Sequence, residues 1–499
     1  MTMLNALKGS TNYTHTENGA ITHKSTLNSV LDLFAMGAAY RTRTDEDCIL
    51  LFKKAYELSP KYALKCLFYI RDIRGGQGER RFFRVCMKWL AKHDPIAVQR
   101  NMKYFSEYGR WDDLYCLEDT CLEAEAFNIL KEQLIADMTS EHPSLCAKWV
   151  KSENTSSPDA RRLATKTRKA LGMDHKHYRK MLSILRERIN VLERLMSAGE
   201  WEEIEFDKIP SRAGLIYKDA FRKHELIKEK YEAFAKDATT KVNAAALYPY
   251  EVVEKAINAS RQGDATNRAM INKYWENLAD YFNGATFNAI AMVDTSGSMR
   301  GTPMNVAISL GLYCAERMKG PFHNHYISFS SRPQLIECEG CDFVNKVDRI
   351  WRTNLCENTN IEAAFDMLLN TAIRHHMPQS EMPENIIVIS DMEFDSAVSG
   401  VAYNYNTHRY ERASNLSSDN AETLMEGIAR KWETHGYKCP HIVYWNVNAR
   451  NNNIPALGVG RISYVSGFSP SIFDSIMSGK DGIDLMLDKI NNVRYAPIE

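Results

Sequence analysis

A chain of 499 residues with 63 basic and 63 acidic side chains and 44% hydrophobic residues is too long for one core and too apolar for disorder. Two or three domains are expected, and no apolar run approaches the length of a membrane span. The N-terminus lacks a signal-peptide core and the 11 cysteines are odd in number and scattered, so a cytoplasmic protein with reduced thiols is expected.

Charge is unevenly spread. Residues 1–283 carry 45 basic against 39 acidic side chains, and residues 284–499 carry 18 against 24. Any polyanionic partner is therefore expected to meet the first part. Residues 1–22 are polar and aperiodic, and read as a flexible arm. From there to residue 283 the pattern is helix after helix, broken at Pro60, Gly75-Gly76, Pro95, Gly109, Pro143, Gly172, Gly199, Pro210 and Pro249. Helices of this length with short breaks suggest an α-solenoid of antiparallel pairs, although no repeat sets a period.

Two basic stretches stand out in this region. The first runs from Arg71 to Arg84, with Arg74, Arg80 and Arg81 around a glycine turn and a new helix start. Arginines beside a helix N-terminus can hold phosphate; the same residues also read as a helix–helix turn with solvated arginines. No strand precedes the turn and no Gly-Lys-Ser/Thr follows, so it is neither a dinucleotide fingerprint nor a P-loop. The second stretch runs from Arg161 to Arg194 and includes Lys166, Arg168, Lys169, Lys176, Arg179, Lys180 and Arg186. A helix starting near Asp174 buries Tyr178, Met181, Leu182, Leu185 and Ile189 at three-to-four spacing and shows cations on another face. A charge run is usually a solvated face, but this density of one sign favours contact with a nucleic-acid backbone.

From Phe287 the period changes. Strands are predicted at 288–294, 324–330, 333–338, 385–391, 441–447 and 461–466, with helices at 303–319, 341–351, 360–376, 420–436, 470–478 and 481–492. This alternation predicts a second domain, residues 284–499, with a mostly parallel, doubly wound sheet. A long polar insertion, residues 396–418, follows the strand that ends at Asp391.

The first strand of that domain ends in Asp294, and Ser296 and Ser298 follow at two-residue spacing. Thr359 stands at the mouth of a later helix, and Asp391 ends another buried strand. Ligands of open α/β sheets sit at the carboxyl ends of strands, and a set of oxygen donors there suits a hard divalent cation: Mg2+, or else Mn2+ or Ca2+. Val293-Asp294-Thr295-Ser296-Gly297 also looks a little like an aspartic-protease strand, but that chemistry needs a second copy, and none occurs. Cys338 and Cys341 form one lone pair, too little for a zinc site by spacing.

Asp-x-Ser-x-Ser, then Thr359, then Asp391, on alternating strands and helices, resembles the metal-ion-dependent adhesion site of von Willebrand factor A (vWA) domains. A helical region followed by such a domain resembles the Ro (TROVE-domain) ribonucleoproteins, and more closely an uncharacterised family built on the same plan. The segments 67–80, 108–114, 247–251, 293–299, 387–394 and 465–468 carry that resemblance. It implies a HEAT-like ring closed by a Rossmann-like vWA domain, with a basic surface that takes single-stranded ends or small structured non-coding RNA. The function expected is therefore a non-enzymatic RNA-binding protein whose Mg2+ site serves partner contacts. The alternative is a metal-dependent protein-binding scaffold, without RNA, that recruits an acidic protein ligand. No membrane partner is expected.

Overall fold

The computed structural model describes residues 12–189, 191–261, 263–284, 286–329, 332–353, 359–395, 401–404, 409–412, 423–457, 461–476 and 479–499. Its strands, in chain order, are β1 (Tyr13–His15), β2 (Ile21–His23), β3 (Ala289–Asp294), β4 (His325–Phe329), β5 (Gln334–Glu337), β6 (Asn385–Ser390), β7 (Val401–Asn404), β8 (Arg409–Arg412), β9 (His441–Asn446) and β10 (Ile462–Ser466). Six of them form one sheet in the order β10-β9-β6-β3-β4-β5. All neighbours in it run parallel except β4 and β5, which are antiparallel. The mostly parallel α/β domain read from the sequence is therefore present, with one antiparallel edge strand.

Every residue of β3, β6 and β9 is buried, as expected for strands covered on both faces. The helices Thr302–Arg317 and Ile361–His375 pack on the sheet. Gly311 lets the first of these approach closely: a Cβ there would stand 2.4 Å from Val293 Cγ2. The chain leaves β3 toward β4 on one side and later returns to β6 on the other. The order therefore reverses between β3 and β6, and in open α/β sheets ligands sit at the carboxyl ends of strands at such a point.

Contacts divide the chain differently from the boundary read at residue 283. One unit joins the residues up to Cys66 to Leu247–Tyr495, and the other joins Leu67–Ala246 to Ala496–Glu499. The helices Pro249–Ala259 and Ala265–Glu276, read as the end of the solenoid, pack on the α/β domain. Trp275 stacks on Phe343 at 4.1 Å and its Nε1 donates to Glu316 at 2.6 Å, while Arg268 pairs with Asp342 at 2.6 Å. The helix Ser29–Met36 lies against β10, where Ser466 donates to the Phe34 carbonyl at 2.8 Å. The first 11 residues of the arm lie outside the described residues, but the remainder is not free. β1 and β2 form a hairpin, and the His23 and Ile454 backbones bond each other. Of the insertion at 396–418, β7 and β8 pair as an antiparallel hairpin and the rest lies outside the described residues.

In the second unit, two of the motif segments meet. Asp113 accepts from Arg71 Nε at 2.8 Å, Arg84 Nε at 2.6 Å and the Arg110 backbone N–H at 2.9 Å. Asp112 pairs with Arg84 at 3.0 Å, Arg110 at 2.8 Å and Lys151 at 3.5 Å. Burial alone would raise the Asp112 carboxyl, but these three cations hold it below the usual carboxylate range. Gly109 is required here, because a Cβ would lie 2.2 Å from Asp113 Oδ2 and 2.7 Å from Arg71 Nε. No described helix is long and apolar enough to cross a membrane.

The sheet also carries a pH-sensitive group. His441 is buried on β9 between Asn385, at 3.0 Å, and Ser463, at 2.9 Å. Burial, reinforced by the charge of Arg461, lowers its pKa to about 4. A folded-state value below the unfolded one of ~6.5 means that the unfolded chain binds the extra proton first. Stability from this group is therefore full above pH ~6.5 and is lost as the pH falls toward ~4, by on the order of 3 kcal/mol. Denaturant titrations at pH 7 and pH 4.5 should show a smaller acid loss in His441→Gln than in the wild type. Equal losses in the two proteins would refute this assignment.

Candidate metal centre and basic surface

The five candidate ligands come from three segments of one unit. Asp294 ends β3, and the turn that follows it places the Ser296 backbone N–H on Asp294 Oδ1 at 2.9 Å. Ser296 Oγ and Ser298 Oγ stand 3.0 Å apart. Asp391 follows β6, bonds with the Ser298 side chain, and accepts from the Glu393 backbone at 3.2 Å. Thr359 is buried, and its carbonyl accepts from the Asp395 backbone at 3.0 Å, which ties it to the same loop. Asn358, quoted with it in the sequence, lies outside the described residues. The carboxyl ends of β3 and β6 thus carry two carboxylates with the hydroxyls of Ser296 and Ser298 beside them.

Both carboxylates are buried. Burial first, and then the neighbouring Asp391 carboxylate, push Asp294 up to about 7. Burial also raises Asp391, against the opposing pull of Ser298 and Arg450. Among the described residues, Asp391 Oδ2 has no hydrogen-bond partner. Arg450 Nε stands 3.4 Å from it. An orphaned carboxylate oxygen among buried oxygen donors is an environment that a divalent cation satisfies.

Sequence reasoning missed several groups here. Ser390 donates to Asp294 Oδ2 at 2.6 Å and fixes its rotamer. Glu393, two residues beyond Asp391, is buried and accepts from Asn453 at 2.9 Å and Asn451 at 3.0 Å. Arg450 and these asparagines lie in the loop after β9, the next strand beyond β6. Their place at the carboxyl end of an adjacent strand was the signal that could have found them. Among the described residues, no three His, Cys, Asp or Glu side chains stand together as a metal-binding group in the arrangement the structure shows. The candidate centre has two acids and relies on hydroxyls for the rest.

The basic candidates lie in the second unit and divide into two groups. Lys166 pairs with Glu118 at 2.8 Å, Glu123 at 3.0 Å and Asp119 at 3.1 Å. Arg168 pairs with Glu153 at 2.9 Å and donates to the Met173 carbonyl at 2.8 Å. Arg186 donates to the carbonyls of Ala147, at 2.9 Å, and Val150, at 3.0 Å, and to Ser152 Oγ at 2.7 Å. Arg74 donates to the Glu107 carbonyl at 2.6 Å, joining the two motif segments. These four hold the fold together. Lys169, Lys176, Arg179 and Lys180 are exposed, and among the described residues no acidic side chain pairs with them. Arg80 is exposed and Arg81 is half-buried at the start of the helix Arg80–His93. Beside the exposed cations is a cleft of about 610 Å³. Arg179, Arg186 and Arg194 line it together with Glu153, Glu187 and Glu193, so it is not a purely cationic groove.

Comparison with known proteins now decides the family. Residues 16–169 and 136–284 match the family described as a domain of unknown function, DUF2828. The chain belongs to the DUF2828 family. Residues 288–493 match a second domain of unknown function, DUF7788, which spans the α/β part. The DUF2828 chain is 28% identical, over 94% of its length and 85% of the relative's, to the uncharacterized protein L728 of Acanthamoeba polyphaga mimivirus. Among solved structures it is similar to the Ro (RSR) protein of Deinococcus radiodurans, with a TM-score of 0.37 and 12% identity over 91% of this chain and 99% of that one. The uncharacterised family expected from the motif segments is thus the one found.

Proposed function

We propose that the α/β unit is a vWA-type binding domain whose divalent cation, Mg2+ in the first instance, captures an acidic oxygen from a protein partner. The observation that carries this reading is the placing of Asp294 and Asp391 with Ser296 and Ser298 at the carboxyl ends of β3 and β6, with Thr359 tied through its backbone to the loop after β6, where the buried Asp391 Oδ2 has no hydrogen-bond partner among the described residues. These five residues would hold the cation, and the cation would supply a Lewis-acidic position for a carboxylate. The proposed role is binding and not catalysis. Titrating chelator-treated protein with Mg2+ tests it: binding by calorimetry, together with a rise in melting temperature, is expected. A protein that responds to neither Mg2+ nor Mn2+ would sink it.

A second reading concerns RNA and is favoured by one observation. Lys169, Lys176, Arg179 and Lys180 are exposed on neighbouring helical segments and have no acidic partner among the described residues, as cations that track a phosphate backbone would be. Changing Lys176, Arg179 and Lys180 to Glu should weaken RNA binding steeply at low salt. It should also reduce the slope of log affinity against log salt by roughly 2–3. Filter binding with a single-stranded and a hairpin RNA measures both quantities. An unchanged slope would remove these three residues from any RNA interface.

A further inference from the structure

The turn of the N-terminal hairpin lies on the segments that carry Thr359 and Asp391. Thr16 Oγ1 donates to the Phe394 carbonyl at 2.6 Å, and the Glu17 backbone N–H donates to Glu393 Oε2 at 2.7 Å. Asn18 Nδ2 donates to the Glu393 carbonyl at 2.7 Å and reaches Thr359 Oγ1 at 3.4 Å. Gly19 forms a backbone bridge with Asp395. These bonds fix the Cα of Glu17 beside the candidate centre.

The side chain of Glu17 has no such anchor in the core. Its side chain is 46% exposed, and its carboxylate accepts from Arg450 Nη2 at 2.6 Å and Asn451 Nδ2 at 2.8 Å. The same guanidinium holds its Nε 3.4 Å from Asp391 Oδ2, and among the described residues neither of those two atoms has a hydrogen-bond partner. One cationic group therefore spans Glu17 and a candidate ligand, attracted to the second without bonding it. Two carboxylates facing one positive charge is also the arrangement that a divalent cation makes. The Arg450 side chain is 32% exposed.

We propose that Glu17 is an internal carboxylate ligand for the cation of this site. The inference rests on the cation reading above. With cation present, Arg450 gives up Asp391, and Glu17 takes the position that a partner's acid would use. Its backbone is already held in place, so little ordering entropy opposes the move. A tethered carboxylate has an effective concentration on the order of millimolar or higher, so a weak external acid does not displace it. The hairpin then sets the threshold that a partner must exceed.

The test uses the full chain and Mn2+ alone, with affinity read by calorimetry and solvent access to the ion read by water-proton relaxation. Glu17→Gln should weaken Mn2+ binding about ten-fold and raise the relaxation per bound ion, because solvent fills the vacated position. Glu17 is half exposed, so the variant should keep the wild-type melting temperature without Mn2+. Weakened binding without a change in relaxation would mean that Glu17 acts only through its field, and would overturn the ligand role. Wild-type affinity and relaxation in Glu17→Gln, with binding abolished in Asp294→Ala, would overturn this inference alone. No Mn2+ binding by the wild type would overturn the cation reading and this inference together.

Discussion

Asp294→Ala removes the Mg2+-dependent rise in melting temperature. In the wild type, Mg2+ at about 100 times its Kd should stabilise the α/β unit by ~2.7 kcal/mol, because the folded site binds the ion and the unfolded chain does not. For a unit of this size that is a shift of several degrees. Asp294 is fully buried at the end of β3, so its loss removes one of the two carboxylates from the centre. Without Mg2+ the variant should melt close to the wild type. Alanine loses the bonds from Ser390 and the Ser296 backbone, but it also relieves the repulsion between two buried carboxylates. Scanning calorimetry with chelator and with saturating Mg2+ separates the two effects. A variant that gains as much from Mg2+ as the wild type would remove Asp294 from the site.

Asp113→Ala should be the most damaging single change in the second unit, at about 3–5 kcal/mol. Asp113 is fully buried and receives bonds from Arg71, Arg84 and the Arg110 backbone. Its removal leaves Arg71, itself buried, as a charge with no counter-ion of comparable geometry. Replacing a charged pair by two apolar groups can be neutral; removing one partner is not. Denaturant unfolding followed by fluorescence would measure the loss. A cost under about 1 kcal/mol would show that Asp112 takes over the role. Arg84→Ala should cost less, because its side chain is 29% exposed and solvent can reach the groups it leaves. The contrast between the two variants distinguishes a buried network from a surface one.

Periodicity carried most of the fold. The six strands of the main sheet lie within about a residue or two of their predicted limits, because alternation of apolar runs with helical stripes is a local signal. The candidate ligands were legible for a related reason. An acid closing a fully apolar strand has few structural uses, and Asp294 and Asp391 both stand in that position. The basic stretch was only half legible. Lys166, Arg168 and Arg186 look like Lys176 and Lys180 in the sequence, but their partners lie well away along the chain. Glu118 and Glu123 hold the first, Glu153 the second, and the carbonyls of Ala147 and Val150 the third. Charge density alone does not distinguish a compensated cation from a free one.

The sequence by itself determined the element types, the mostly parallel sheet and the two acids at strand ends, since each depends on residues within one element. Tertiary structure alone decided which elements share a unit. Helices 249–259 and 265–276 have the same amphipathic period whether they pack on a solenoid or on the α/β domain, and contacts assign them to the latter. It also decided what surrounds the candidate centre. Glu17, Glu393 and Arg450 lie far apart in the chain, in short polar segments that have no period to read. Only the topology of the sheet, which brings the loops after β6 and β9 together under the N-terminal hairpin, places them at one site.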